Sequence, residues 1–324
     1  MIIITGGAGF IGSALAAELN VRGVDDILIV DLLGTNERWK NLRKLRFVDY
    51  MEADDFAQAL DSEQIEWDVE AILHLGACSD TTETDASYLV RNNYEYSKML
   101  AQWAVERQVR FIYASSAATY GDGTAGFSDS EPIEQLIPLN MYGYSKQLFD
   151  LWAKRTGVAE QIVGLKYFNV FGPNEYHKGE MRSFVLKAFE QISAGGKVRL
   201  FKSHRPEYAD GMQLRDFLYI KDAVDMTLFF LENPDTNGIF NVGTGQTRSW
   251  LDLANAVFTA MGKTPNIEFI PMPEKLRDKY QYFTQADISK LRHAGYRKNT
   301  TDLESAVADY VQNYLMKDEY LGAE

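Results

Sequence analysis

The sequence is poor in cysteine, histidine, net positive charge and long apolar runs, and each shortage excludes a class of function. Cys78 is the one cysteine among 324 residues. A single thiol forms no intramolecular disulfide, which fits a reducing compartment. The four histidines, His74, His177, His204 and His293, are scattered. No Cys/His group has metal-ligand spacing, so no metal is expected. Asp and Glu outnumber Lys and Arg by 46 to 33, a net charge of −13. That balance is the reverse of a nucleic-acid-binding surface. No apolar run approaches the ~18 residues of a membrane span. The chain opens Met1-Ile2-Ile3-Ile4-Thr5-Gly6, with neither a basic leader nor a cleavage site. A soluble, cytoplasmic protein without membrane or nucleic-acid partners is therefore expected. Internal repeats, low-complexity tracts and long linkers are absent too.

At 324 residues and 46% hydrophobic content the chain can bury a sizeable core. The length suits one large α/β domain or two lobes sharing a cleft. Charge is uneven along it. Lys178, Arg182, Lys187, Lys197, Arg199, Lys202, Arg205 and Arg215 face only Glu180, Glu190, Glu207 and Asp210 in the same stretch. This stretch is either a solvated surface or a patch for a small anion such as a diphosphate.

Ile2–Ile4 is a β-branched run ended by glycines and reads as a buried strand. Ile11, Leu15 and Leu19 then recur as one face of a helix, and Ile27–Val30 forms a second strand ended by Asp31. Together they make a βαβ unit. Strand-like runs follow at 71–75, 111–114 and 162–168, with helical stretches between them, which points to a doubly wound parallel sheet. Beyond Gly172 the pattern loosens. A helix is expected over 184–192, short strands at 198–201, 217–220 and 239–242, a helix near 251–261, and a fraying tail from Tyr314 to Glu324.

Gly6, Gly9 and Gly12 follow the first strand, open the first helix, and lie upstream of an acid, Asp31, ending the second strand. Glycines let backbone N–H groups approach a pyrophosphate, and the helix offers that anion its positive end. In this context the turn is a dinucleotide site. Asp31 could accept from a ribose 2′-hydroxyl, favouring NAD, whereas Arg38, with Lys40 nearby, could neutralise a 2′-phosphate, favouring NADP. Composition leaves that choice open.

Tyr142 and Lys146 are spaced i, i+4 on one helix face. A phenol of pKa near 10 is a poor base at neutral pH, and an ammonium one turn away is expected to pull it toward working range. Ser116, ending the Phe111–Ser116 run, could hydrogen-bond the same substrate oxygen.

Thr5–Gly12, Ser116, Tyr142 and Lys146 resemble the extended short-chain dehydrogenase/reductase family. His74–Ala77, Phe168–Pro173, Arg215–Phe217 and Asn241–Gly245 extend the resemblance across nearly the whole chain. It implies a Rossmann-type α/β fold with a smaller α/β substrate-binding lobe. The lobes would be residues 1–172, holding NAD(P), and 173–324, holding a sugar nucleotide, with segments exchanged between them. Gly76–Glu83, Ala114–Gly121, His177–Gly179 and Phe283–Asp287 are similar to one branch of that family. Its members invert C6 of ADP-D-glycero-D-manno-heptose for the lipopolysaccharide inner core. They usually carry NADP, one per subunit, and assemble as homo-oligomers, with a pentamer suggested here.

By this resemblance Gly6, Gly9, Phe10, Ile11, Gly12, Asp31, Leu32, Arg38, Leu75, Gly76, Ala77, Cys78, Ser79, Asn92, Lys146, Val170 and Lys178 would touch the cofactor. Ser79, Ser116, Asn169, Lys178, Lys187, Phe201, Arg215 and Tyr280 would touch the substrate. Ala53 stands where the family often has a second lysine on the cofactor phosphate, which counts against NADP. Lys166 stands where Arg is common, Glu180 replaces a small polar residue of the sugar pocket, and an insertion spans Glu207–Gln213.

Inverting C6 by oxidation and re-reduction requires the ketone to rotate about C5–C6, carrying its oxygen to a new place. Tyr142 can serve only one of the two oxygen positions. Lys178 is then the expected second acid/base, if a desolvated pocket or nearby cations lower its pKa; its alternative role is a diphosphate contact. Other readings are a 4-epimerase or 4,6-dehydratase on a UDP- or GDP-sugar, and a cofactor-sensing regulator without chemistry. A dehydratase usually has an acidic pair beside the catalytic serine, where this chain has Ala117-Ala118. A sensor typically loses the tyrosine or lysine, and both are present here.

Overall fold

Three consecutive isoleucines offer no polar face, so the first strand, β1 (Ile2–Thr5), fits only where both sides are covered. All four of its residues are buried. β1 lies within a seven-stranded parallel sheet in the computed structural model, which describes residues 1–277 and 280–322. The other strands are β2 (Ile27–Asp31), β3 (Asp49–Glu52), β4 (Ala71–His74), β5 (Arg110–Ser116), β6 (Val163–Tyr167) and the late strand Gly238–Val242. Across the sheet they run Gly238–Val242, β6, β5, β4, β1, β2, β3.

Side chains alternate across the pleat. Ile2 and Ile4 of β1 enter one core, with the helices Phe10–Val21, Phe184–Gly195, Ile220–Glu232 and Trp250–Ala260. Ile3 enters the other, with the helices Ala53–Asp61, Tyr96–Glu106 and Met141–Arg155. The expected doubly wound sheet is thus present. Ile2 lies opposite Ile27 on one side and Ala71 on the other, so strand order reverses between β1 and β4. Loops leaving those two strands diverge, opening the crevice where such sheets bind ligands.

The expected strand over 162–168 forms as β6, Val163–Tyr167. β6 ends at Tyr167, where the Phe168 N–H still donates to the Val242 carbonyl (3.0 Å). Asn169–Phe171 then pairs in parallel with Phe217–Tyr219, in a separate two-stranded ribbon. Val198–Phe201 pairs with Ile267–Ile270, and Leu214–Arg215 with Arg248–Ser249. Gly238–Val242 returns to the main sheet beside β6, Gly238 opposite Val163. Among the described residues no helix is long and apolar enough to cross a membrane.

The tail does not fray. From Tyr314 to Gly322 it docks, because Tyr320 supplies an aromatic ring to bury; residues 323 and 324 lie outside the described part. Tyr320 stacks edge-on to Tyr176 at 4.8 Å, beneath the Arg43 guanidinium at 4.8 Å. The Tyr176 hydroxyl donates to the Glu319 carbonyl (2.8 Å), and Leu321 N–H to Asn174 Oδ1 (2.9 Å).

Candidate active site

The glycine turn leaving β1 lies against the loop leaving β4 backbone to backbone. Gly6 has φ +67°, and a Cβ there would stand 2.6 Å from the Gly76 nitrogen. A Cβ on Gly12 would stand 2.2 Å from the Gly6 carbonyl oxygen. The helix Phe10–Val21 opens at Gly9 with no side-chain cap, leaving its first N–H groups for an anion. A backbone cradle closed to side chains, ending at an uncapped helix, fits a dinucleotide pyrophosphate.

A cavity of about 440 Å³ runs from Gly6, Gly9, Phe10, Ile11 and Gly12 past Leu75–Ala77 and Ser79 to Ser116, Tyr142, Lys146, Asn169, Val170 and Lys178. A second, of about 420 Å³, shares Gly6, Asp31, Arg38, Gly76, Ala77, Ser79 and Lys178, and adds Leu32, Ala53, Cys78 and Asn92. A third, of about 710 Å³, adjoins the first at Phe184 and Trp250 and is lined by Lys187, Phe201 and Tyr280. Arg215 sits behind that wall, its guanidinium 5.2 Å from the Tyr280 ring and 5.6 Å from Trp250.

Asp31 is committed within the protein. Its carboxylate accepts from Ala8 N–H (2.9 Å), Leu32 N–H (2.7 Å) and Arg38 Nη1 (2.7 Å). Arg38 Nε is buried with no hydrogen-bond partner among the described residues.

The helix carrying the Tyr-Lys pair begins at Asn140, whose side chain caps Gly143 N–H (2.7 Å). At Gly143 a Cβ would lie 2.8 Å from the Ala118 carbonyl, so glycine lets the helix press on the turn that follows Ser116. Tyr142 and Lys146 thereby reach the cavity beside Ser116. The electrostatics differ from the sequence expectation. Burial pushes the Tyr142 phenol up, with the Ser116 hydroxyl pulling the other way. Burial also brings Lys146 down to about 8, and its ammonium donates to the Ala114 carbonyl (2.8 Å). Desolvation thus outweighs the attraction expected from the i, i+4 spacing.

Lys178 comes from the turn Tyr176–Met181 and lines the same first cavity. Its ammonium stands 5.1 Å from the Phe10 ring. Burial lowers its pKa, and Glu175 opposes the shift. The basic stretch around it is no open patch. Arg182 pairs with Glu190, Lys187 with Glu180, and both Lys197 and Arg199 with Glu268. Glu180 is exposed and lines none of the three cavities, so it does not form a sugar-pocket wall here. Lys166 also turns inward, into a buried pair with Asp150 (2.8 Å) that Thr119, Tyr113 and Ser115 complete.

Two positioning groups escape a motif search. Asn93 donates to the Cys78 carbonyl (2.9 Å) and Ser145 Oγ (3.0 Å), and accepts from Cys78 N–H (2.8 Å). Ser145 Oγ donates on to the Tyr142 carbonyl (2.7 Å). One amide thus joins the β4 loop to the Tyr142 helix. Its sequence signal is a pair of asparagines inside a helical stretch, which is π-wound over Val90–Glu95. His74 is buried between Thr5 Oγ1 (2.6 Å) and Ser97 Oγ (2.8 Å). Ser97 Oγ already donates to the Asn93 carbonyl (2.8 Å), so we assign the ring proton to Nε2. Burial, with the Lys146 charge nearby, lowers its pKa to about 3.

The sequence profile of the NAD dependent epimerase/dehydratase family matches residues 2–243. An ADP-L-glycero-D-manno-heptose-6-epimerase of Nitratidesulfovibrio vulgaris (strain DP4) is 56% identical over 316 residues, covering 97% of this chain and 98% of its own. One from Fusobacterium nucleatum is 48% identical, covering 99% and 100%. The crystal structure of the Helicobacter pylori ADP-L-glycero-D-manno-heptose-6-epimerase superposes with a TM-score of 0.81 at 29% identity, covering 96% of this chain and 95% of that one. Profile, near-full-length identity and shared fold agree with a glycine cradle and a Ser-Tyr-Lys group facing one crevice: the chain belongs to the NAD dependent epimerase/dehydratase family.

Proposed function

We propose that this protein converts ADP-D-glycero-β-D-manno-heptose to its L-glycero epimer. It would do so through a 6-keto intermediate re-reduced on the opposite face, in lipopolysaccharide core heptose biosynthesis. The observation that carries the reading is that Tyr142 and Lys178, on separate elements, line one cavity beside the glycine turn. A nicotinamide dinucleotide, when bound, would supply hydride-accepting and hydride-returning chemistry at the carbinol carbon. Gly6–Gly12 and the uncapped helix would hold its pyrophosphate. Tyr142 would exchange a proton with the C6 oxygen in one rotamer of the ketone, with Ser116 bonding the same oxygen. Lys178 would serve the other rotamer. Asn169 and Ser79 would contact the sugar, and Lys187, Phe201, Tyr280 and Arg215 the nucleotide.

The cofactor we favour is NADP, because Arg38 lines both cofactor-side cavities with a guanidinium that Asp31 engages only through Nη1; Ala53 supplies no second cation there. We further propose a cytoplasmic homo-oligomer, a pentamer.

The test incubates purified protein with ADP-D-glycero-D-manno-heptose in D₂O without added cofactor, and follows C6 by NMR. Turnover on copurified cofactor with no deuterium at C6 is expected. Deuterium at C6, or stoichiometric reduced nicotinamide, would mean a deprotonation route or a dehydrogenase.

A further inference from the structure

Asn41 is 1% exposed and lies on the short helix Glu37–Leu42, one turn after Arg38. Its Nδ2 donates to the Ala8 carbonyl (2.9 Å) and the Asn174 carbonyl (3.0 Å), and lies 3.3 Å from His177 Nδ1. Ala8 belongs to the glycine turn, whereas Asn174 and His177 flank the approach to Lys178. A side chain serving only its own helix would find its partners locally. This one instead bridges two distant segments, one holding the cofactor and the other the second acid/base.

A parallel link supports the same junction. Asn174, at φ 76°, donates from its side chain to Ser13 Oγ (2.9 Å), and Ser13 Oγ donates to the Phe10 carbonyl (3.2 Å). Phe10 is the residue whose ring lies beneath the Lys178 ammonium. The His177 ring packs against this amide, its Nδ1 3.3 Å from Asn41 Nδ2. Burial, with the nearby Arg38 and Lys178 charges, keeps that ring neutral down to about pH 4. The junction therefore carries no charge change at neutral pH.

We infer that Asn41 is a positioning residue that ties the Lys178 segment to the glycine turn, keeping the second proton-transfer group in register with the bound dinucleotide. The inference rests on the reading of Lys178 as the second acid/base. It predicts an asymmetry between half-reactions that a loss of general stability would not produce. With one C6 epimer Tyr142 serves oxidation and Lys178 serves the return; with the other epimer the roles exchange.

The experiment follows absorbance at ~340 nm in single turnovers of the cofactor-loaded enzyme with each epimer separately. Asn41→Ala should lower kcat on the order of 10²-fold, the scale of a 1 Å misplacement, with KM and bound cofactor unchanged. Reduced cofactor should accumulate with one epimer and fail to form with the other, in the same sense as in Lys178→Met. Should the alanine variant not fold, Asn41→Asp keeps the shape while facing a carboxylate to the same acceptors, and must give the same asymmetry. Equal slowing with both epimers, or loss of bound cofactor, overturns the inference. If Lys178→Met is itself symmetric, the Lys178 reading fails and takes the inference with it. If Lys178→Met is asymmetric and the Asn41 variants are not, only the inference falls.

Discussion

Asp31 and Arg38 form an ion pair of 2.7 Å on the wall shared by the two cofactor-side cavities. The pair engages Arg38 through Nη1, which leaves the rest of a guanidinium that lines both cavities for a ligand. Arg38→Ala should weaken NADP binding by about 1.5–3 kcal/mol, the range for hydrogen bonds to charged groups. NAD binding should change much less. Titration of cofactor-free protein with each dinucleotide measures the difference. Equal losses would make Arg38 a general contact and NAD the resident cofactor.

Lys178→Met should cut kcat by roughly 10²–10⁴-fold, the span of general acid–base catalysis. Substrate affinity and cofactor content should change little. Isothermal titration with ADP-sugar, beside steady-state kinetics, separates the roles. A variant that loses affinity and keeps kcat would make Lys178 a diphosphate contact.

Lys146, brought down to about 8 by burial, sets an alkaline limit. As pH rises through that value its ammonium is lost, so kcat/KM should fall. Stability should move the opposite way. Between about 8 and the unperturbed 10.5 the unfolded chain binds a proton that the native site has released, so unfolding becomes harder as pH rises. Lys146→Arg keeps its charge across this range and should erase the alkaline limb from whatever activity remains. An unchanged limb would assign it to another group.

His74 carries the acid-side counterpart. Its ring stays neutral in the native protein down to about 3, whereas in the unfolded chain it charges near 6.5. As pH falls through that window, stability should drop by about 1.4 kcal/mol per pH unit from this residue alone. His177, at about 4, adds to the slope over a narrower window. His74→Gln should start less stable at neutral pH and show a shallower acid slope in urea unfolding. A parallel slope would show that the ring is not desolvated.

Legibility in the sequence followed how local each signal was. β1, β2 and the glycine turn between them are contiguous and both-sides-buried, so apolar runs and spacing exposed them. β3 was not foreseen, because Asp49-Tyr50-Met51-Glu52 has neither an apolar run nor alternation; it forms on the edge that β2 offers, Leu28 opposite Asp49. Ser116, Tyr142 and Lys146 could be read from i, i+4 spacing and family resemblance. Their protonation could not, since burial decides it and burial is a tertiary property. Asn41, Asn93 and Asn174 carry no motif at all. Each matters because of partners far along the chain, such as Asn174, 133 positions beyond Asn41.

The strand Gly238–Val242 is the last to join the sheet, and it covers β6. Seventy residues separate Tyr167 from Gly238. At about 5–20 residues per second, a ribosome takes several seconds to make them. Throughout that interval β6, whose residues are all buried in the finished protein, is an uncovered edge able to pair with another nascent chain. Newly made protein should therefore depend on chaperones until residue 242 has emerged, and fragments ending before Gly238 should aggregate rather than fold.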